Sequence, residues 1–172
     1  MTARPLLSAL ALLLLAGCAA VPTVEQSQPL SADLSRYRAV QVSVDGTERI
    51  RQTAGFEATS TALRDEFTAI LRASGRFSEV GPEVQSAGVL LVKLTITDLN
   101  YVHGTTRGFV GILGGRAVLD VTMALADKAS GAALGEVRAA HSSSHAQGVF
   151  SPVTSTQVTA IAKEFSLKLS GK

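Results

Sequence analysis

The chain has 172 residues, with 16 lysines and arginines against 14 aspartates and glutamates, and 46% of its residues are hydrophobic. A net charge of +2 without a basic cluster excludes the electrostatic footprint of a nucleic-acid-binding protein. A charged fraction of 17% together with many Val, Leu and Ile residues excludes a disordered chain. The length is that of a single domain.

The first residues predict a secretory signal. Arg4 places a positive charge ahead of the apolar run 6–15. This run is shorter than the stretch of about 20 apolar residues that spans a bilayer, and it has the length of a secretory hydrophobic region. Residues 1–17 are therefore predicted to be a signal peptide.

The apolar run ends in Leu15-Ala16-Gly17-Cys18, and Cys18 is the only cysteine of the chain. This segment resembles the lipobox of bacterial lipoproteins, whose cysteine is acylated on sulfur and becomes the first residue of the mature protein. The resemblance implies a palmitate-type lipid anchor on Cys18 and a membrane as the first partner. Because an aspartate in the place of Ala19 usually retains lipoproteins in the inner membrane, the alanine implies the outer membrane, facing the periplasm. An ordinary signal peptide is the alternative.

The mature chain divides into a linker and one domain. Residues 18–35 are polar, contain Pro22 and Pro29, and lack an apolar period. They are predicted to be the lipidated N-terminus and a flexible tether. Residues 36–172 are predicted to form a single periplasmic domain.

The first half of the domain alternates between strand and helix patterns. Alternating residues over 37–44 predict a half-buried strand. Apolar residues at helical spacing over 56–74 predict an amphipathic helix, with Gly75 as its left-handed C-cap. Alternation resumes over 77–80 and, most clearly, over 88–99.

The second half predicts a hairpin and a helix. Strands are expected over 117–125 and 133–145, joined by a turn at 127–131 in which glycine supplies a positive φ. An apolar stripe over 158–169 predicts a helix, with Ser151 and Pro152 suited to its start. The order β-α-β-β-β-β-α predicts an α+β fold, a mainly antiparallel sheet with two helices packed on one face. The predicted core includes Leu63, Phe67, Val92, Leu94, Val121 and Phe165.

The sequence has no signature of catalysis. It lacks a nucleophile elbow and a phosphate-binding loop with its lysine, and acylation of Cys18 would leave no free thiol. His141 and His145 on one strand would stand about 13 Å apart, too far to share a metal ion. We therefore expect no enzyme, no catalytic residue, no cofactor and no metal.

The segment 100–116 holds five of the 15 glycines, with large apolar residues between them. Such a loop either packs back onto the core or forms an exposed apolar patch that contacts a partner or a membrane. The two arginines of the segment are suited to a lipid phosphate or a carboxylate, or they face solvent. The candidate partner contacts are Arg107, Phe109, Val110, Ile112, Leu113 and Arg116.

Four segments together point to a family. They are YRAV at 37–40, LRASGRF at 71–77, TRGFVG at 106–111 followed by GGRA at 114–117, and the DKASG turn at 127–131. Over about residues 35–168 the chain resembles small bacterial lipoproteins carrying the domain of unknown function numbered 4410. The resemblance implies no established activity, cofactor or catalytic residue. The element order resembles, more loosely, periplasmic lipoprotein domains that assist transporters, secretion or cell-wall synthases.

Three functions are compatible with these observations. The first is a non-enzymatic lipoprotein that binds or assists another cell-envelope protein, as an accessory of transport or assembly. The second is a carrier of a small ligand or lipid, with the apolar glycine-rich loop as its lid. The third is a cell-envelope hydrolase. A small molecule bound in native mass spectrometry would distinguish the carrier from the accessory protein.

Overall fold

A computed structural model describes residues 22–30, 33–100, 117–142 and 153–170. These ranges contain six strands and three helices, which confirms the predicted mixed α+β class. In chain order they are β1 (Thr23–Gln28), β2 (Ala39–Gly46), α1 (Glu48–Arg51), α2 (Phe56–Ala73), β3 (Glu79–Gly81), β4 (Val89–Asn100), β5 (Val118–Asp127), β6 (Ala133–Ser142) and α3 (Val153–Leu169).

The strands form one sheet in the order β1-β6-β5-β4-β2-β3. Strands β1 and β6, β6 and β5, and β5 and β4 pair antiparallel, whereas β2 is parallel to both β4 and β3. The sheet is therefore mostly antiparallel, as predicted. The observed order differs from the predicted string because it contains β1 and the short helix α1.

The main core lies between one face of the sheet and the two long helices. Leu63 and Phe67 of α2 and Phe165 of α3 are fully buried in the same cluster as alternate residues of β2, β4 and β5. All six predicted core residues belong to this cluster and have no exposed surface. Burial of each large apolar side chain contributes about 1.5–3 kcal/mol. The sheet face on the other side, on which Val84 packs against Ala39 and Val89 in a smaller cluster, is called the open face below.

Helix α2 ends as its sequence predicts. Gly75 follows it with a φ of 65°. The amide of Ser74 donates to the carbonyl of Ile70 at 3.0 Å, and that of Gly75 donates to the carbonyl of Arg72 at 3.2 Å. A left-handed residue here satisfies carbonyls of the last turn that have no partner within the helix. The predicted start of the last helix at Ser151 and Pro152 lies outside the described residues.

The predicted flexible tether at 18–35 is wrong over residues 23–28. These residues form β1, an edge strand that pairs antiparallel with β6, with Thr23 opposite Ala140 and Glu25 opposite Arg138. Leu34 is buried in the main core, and Val24 and Leu30 pack against it. An edge strand gains its stability from one row of backbone hydrogen bonds and needs few apolar side chains, so its hydropathy resembles that of a linker.

Gly135 of β6 allows the N-terminal segment to pack this closely. Its φ is 131°, a backbone conformation that residues with a Cβ rarely adopt. A Cβ built at Gly135 would stand 2.6 Å from the Pro29 carbonyl oxygen and 2.7 Å from the Leu30 Cα. The chain after β1 therefore crosses β6 where no side chain intervenes.

Five strand ends meet at one end of the sheet, which is called the proximal end here. Strands β1 and β5 begin there, at Thr23 and Val118, and β2, β4 and β6 end there, at Gly46, Asn100 and Ser142. The glycine-rich segment 101–116 consequently leaves from and returns to the same end of the sheet at which β1 begins.

Candidate functional site

A polar groove of about 360 Å³ lies on the open face near the proximal end. Helix α1 supplies one wall because it follows directly on the end of β2, and strands β4, β5 and β6 supply the rest. The described side chains that line it are all polar or charged: Arg49, Thr97, Asp98, Asp120, Thr122 and Arg138.

Two carboxylates stand opposite each other in this groove. Asp98 of β4 and Asp120 of β5 are register partners, next to an irregularity in the pairing after Ile96. Like charges directly across a strand pair are destabilising unless cations neutralise them. The guanidinium of Arg138 donates to an Asp120 oxygen at 2.6 Å, and that of Arg49 lies 3.7 Å from an Asp98 oxygen. The four charged groups sum to zero.

The groove offers both signs of charge to a ligand. The Asp98 carboxylate is 51% exposed, and the Arg49 and Arg138 side chains are 71% and 49% exposed. The side chain of Asp120 is only 13% exposed, and its ion pair with Arg138 orients the arginine. Exposed ion pairs contribute only about 0–1 kcal/mol to stability, so a ligand can replace them as partners at small energetic cost.

In the strand predicted over 117–125, Asp120 and Thr122 alternate with the apolar residues, so the pattern places them on the face away from the core, but it does not predict the groove. The pairing of β6 with β5 places Arg138 opposite Thr122, and α1 supplies Arg49. Neither the register nor the short helix has a signature in the residues themselves. The two aspartates, one on each of two neighbouring strands, were the available signal.

The predicted lipidation site and contact residues are not brought together by the described structure. Cys18, Arg107, Phe109, Val110, Ile112, Leu113 and Arg116 all lie outside the described residues. The structure does place both ends of the segment that contains the last six, at Asn100 and Ala117, at the proximal end. Their role as contacts stays a prediction.

Two of the family-like segments meet through a tyrosine and an aspartate. The hydroxyl of Tyr37 donates to a carboxylate oxygen of Asp127 at 2.8 Å, although 90 positions separate the two residues. Arg36 donates to the same hydroxyl at 2.7 Å and lies 3.5 Å from Asp127. Burial raises the pKa of Tyr37, which keeps its hydroxyl protonated as a donor. The contact joins the start of β2 to the β5–β6 hairpin.

Asp127 also shapes its own turn. Its carboxylate accepts hydrogen bonds from the Ser130 amide at 2.8 Å and the Ser130 hydroxyl at 2.9 Å, and Gly131 has a φ of 71°. This confirms the predicted hairpin turn at 127–131. The Ser130 amide, followed by the hydroxyls of Tyr37 and Ser130, lowers the pKa of Asp127 from 3.8 to about 2.

Replacing Asp127 with asparagine is expected to change how stability depends on pH. Because the carboxylate has a lower pKa in the folded chain than in the unfolded chain, its stabilising effect is complete above about pH 4 and is lost as the pH falls toward 2. Urea unfolding at a series of pH values should show Asp127→Asn less stable than wild type at pH 7, with the difference shrinking below pH 4. The exposed Asp65→Asn is the control, and a difference that does not depend on pH would contradict the role of the charge.

The third family-like segment, at 71–77, holds parts of the fold together through its two arginines. Arg72 donates two hydrogen bonds to the carbonyl of Val80 in β3, at 3.1 and 2.7 Å. Arg76 donates to the carbonyl of Leu34 at 2.8 Å and to that of Leu169 at the end of α3. A cation on the last carbonyls of a helix also complements the helix dipole. Both arginines of this segment therefore have a structural role.

Of the three histidines, the structure describes His141. It is buried on β6, and its backbone carbonyl accepts a hydrogen bond from the side-chain amide of Gln157, on α3, at 3.1 Å. His103 and His145 lie outside the described residues. Within the described ranges no three His, Cys, Asp or Glu side chains are grouped to hold a metal ion, and none of the helices there has the length and apolar character of a membrane span.

The fold and its motifs define an α+β domain with a mostly antiparallel sheet, and the comparison of sequences assigns it to a family. The model of the family described as "Domain of unknown function (DUF4410)" matches residues 24–147. The chain belongs to this family, which confirms the predicted resemblance to lipoproteins that carry the domain. A search of curated proteins finds no match.

Solved structures share the fold at low sequence identity. A dodecamer of a single-substitution variant of PelC from Paraburkholderia phytofirmans is 21% identical with a TM-score of 0.54, covering 85% of this chain and 95% of that one. A second PelC dodecamer from the same organism is 19% identical with a TM-score of 0.53, covering 85% and 96%. A DUF330 protein from Xanthomonas campestris is 12% identical with a TM-score of 0.50, covering 88% and 95%. At these identities the likeness shows the fold alone.

Proposed function

We propose that the chain is a non-enzymatic lipoprotein, anchored in the outer membrane and facing the periplasm, that assists another component of the cell envelope. One observation carries the proposal: strand β1 begins five residues after Cys18, at the same end of the sheet from which the segment 101–116 departs. The lipid anchor and the predicted contact residues would then act on the same side of the domain.

The short connection limits how far the domain stands from the bilayer. Five residues in a fully extended chain reach about 17 Å. A tether that stayed flexible through residue 35 would reach about 60 Å, so β1 removes most of that reach. With acyl chains on Cys18, the proximal end is held at the membrane surface, and a partner in contact with the segment 101–116 sits at the same membrane.

A small-ligand carrier finds less support in the described residues. The carrier hypothesis places an apolar lid over a cavity, whereas the groove on the open face is lined by charged and hydroxyl side chains. An accessory protein requires only a surface that a partner can bind. PelC, which shares the fold, is a dodecamer in its solved structures, so a second copy of the chain is one partner that we propose to test.

Replacing Phe109 and Ile112 with serine is expected to reduce the capture of partner proteins by the tagged, lipidated chain in crosslinked cells. The substitutions remove two large apolar groups from the predicted contact, and apolar anchors supply much of the binding energy of protein interfaces. Mass spectrometry of the captured proteins gives the measurement, with crosslinked multimers of the chain itself reporting self-association.

The matched control is Leu167→Ser. Leu167 is a large apolar residue on α3 whose surface is 43% exposed, and it lies toward the end of that helix, away from the proximal end. This variant should capture the same partners as wild type. If Phe109→Ser/Ile112→Ser also captures every partner at wild-type yield, the segment is not the contact surface.

A further inference from the structure

The open-face groove lies close to the start of the described chain. Asp120 is opposite Ala140, and Ala140 is opposite Thr23, so the three residues form one row across β5, β6 and β1. Neighbouring strands are about 4.8 Å apart, which places the Asp120 and Thr23 backbones about 10 Å from each other. Thr23 is five residues from Cys18. If the anchor of the proposed function is present, the groove opens beside lipid headgroups.

The charges of the groove select a particular chemistry. A simple anion would be attracted by the two guanidiniums but repelled by the facing carboxylates of Asp98 and Asp120. A simple cation would be attracted by the carboxylates but repelled by the guanidiniums. A ligand that carries one positive and one negative group on a short linker satisfies both pairs and leaves no charge unmatched. Guanidinium groups bind phosphate through paired hydrogen bonds, and carboxylates accept from an ammonium group.

We propose that this groove binds a phosphoethanolamine group, with its ammonium at Asp98 and Asp120 and its phosphate at Arg49 and Arg138. The proposal rests on the proposed function for the presence of the membrane beside the groove. The facing aspartates support it, because Asp98 has its arginine only at 3.7 Å and is half exposed, so an ammonium group bound between the two carboxylates would add a cation where two like charges face each other. The hydroxyl of Thr122 lines the same groove and can donate to a phosphate oxygen, whereas the hydroxyl of Thr97 donates to the carbonyl of Asp120 at 3.4 Å.

The test uses the full-length acylated protein in detergent micelles that contain equal amounts of phosphatidylethanolamine and phosphatidylglycerol. Native mass spectrometry measures which lipid stays bound after the detergent is removed. We expect wild type to retain phosphatidylethanolamine over phosphatidylglycerol by about tenfold, because only the former supplies an ammonium group to the carboxylates. Asp120→Asn/Arg138→Gln, which removes one ion pair at nearly constant volume, should lose this preference.

The matched control is Arg64→Gln/Asp65→Asn, which removes an exposed ion pair of 3.1 Å on α2. It should keep the wild-type preference. Equal retention of the two lipids by wild type, or an unchanged preference in Asp120→Asn/Arg138→Gln, would overturn the proposal. If circular dichroism shows that this double variant is unfolded, Asp98→Asn takes its place, because the Asp98 side chain is 51% exposed and its carboxylate is one of the two that would hold the ammonium group. The same loss of preference is expected, and an unchanged preference would again overturn the proposal.

Addition of soluble O-phosphoethanolamine distinguishes a free phosphoethanolamine group from a lipid headgroup as the ligand. Its displacement of the bound lipid supports recognition of the group itself, and retention of the lipid in its presence supports recognition within the intact membrane. The same spectra report the mass added to Cys18. A lipid preference without acylation would support the groove proposal and contradict the anchor. Acylation without a lipid preference would support the anchor and contradict the groove proposal.

Discussion

Cys18→Ser is expected to release the protein from the outer membrane or to mislocalise it, while leaving its fold unchanged. Each buried methylene of an acyl chain contributes about 0.8 kcal/mol, so two or three chains hold a protein stably and none leaves it free in the periplasm. The described fold begins at β1, five residues later, and the substitution touches none of its contacts. Fractionation, incorporation of labelled palmitate and thermal unfolding together give the measurement.

Ala19→Asp is the companion variant. In lipoproteins that the signal segment resembles, an aspartate after the acylated cysteine retains the protein in the inner membrane, so this variant should still incorporate palmitate but change membrane. Separation of inner and outer membranes on a density gradient distinguishes the two. Wild-type protein that is soluble with an unmodified sulfur would contradict the anchor. Wild type and Ala19→Asp in the same membrane would contradict the assignment to the outer membrane.

The elements predicted from sequence are those with a strong hydrophobic period. Helix α2 extends over Phe56–Ala73 where 56–74 was expected, and β4 over Val89–Asn100 where 88–99 was expected. Each buries one face in the main core, so apolar side chains had to recur at the period of the element. The same reason makes Phe67 and Phe165 recognisable as core residues.

The elements that escaped prediction depend on the backbone or on distant partners. Strand β1 is held by hydrogen bonds to β6 that any sequence without internal proline can make, and its polar side chains carry no period. The groove depends on the register that brings Asp98, Asp120 and Arg138 to one place. Such register is set by tertiary pairing and cannot be read from one strand alone.

The family-like segments also contain some features that the sequence predicted and others that depend on distant partners. Their glycines and apolar spacing predicted turns and buried faces. The contact between Tyr37 and Asp127 was not predicted, because it joins two segments that are far apart in the sequence. Arg72 and Arg76 likewise bind backbone carbonyls of β3, of α3 and of the segment before β2. Polar residues in a motif suggest chemistry, and here they hold the ends of elements together.

Gly135→Ala is expected to cause a large loss of stability for a single methyl group. The backbone conformation at Gly135, with a φ of 131°, costs a residue with a Cβ about 1–3 kcal/mol. The new Cβ would also overlap the backbone of Pro29 and Leu30, which cannot rotate away as a side chain can, and overpacking of this kind costs a further 1–3 kcal/mol, roughly. The free energy of unfolding in urea should therefore fall by about 2–6 kcal/mol.

Gly131→Ala separates the two causes. Gly131 also has a positive φ, of 71°, but among the described residues no atom, apart from those of Gly131 and its two chain neighbours, lies within 4 Å of the position that its Cβ would take. It should lose only the cost of a left-handed alanine, about 1–2 kcal/mol. In Gly135→Ala, hydrogen exchange should rise selectively at the β6 amides that bond to β1, because the segment after β1 is pushed off β6. Equal losses in the two variants, with β6 still protected, would mean that the N-terminal segment does not pack against Gly135 and that the domain begins after it.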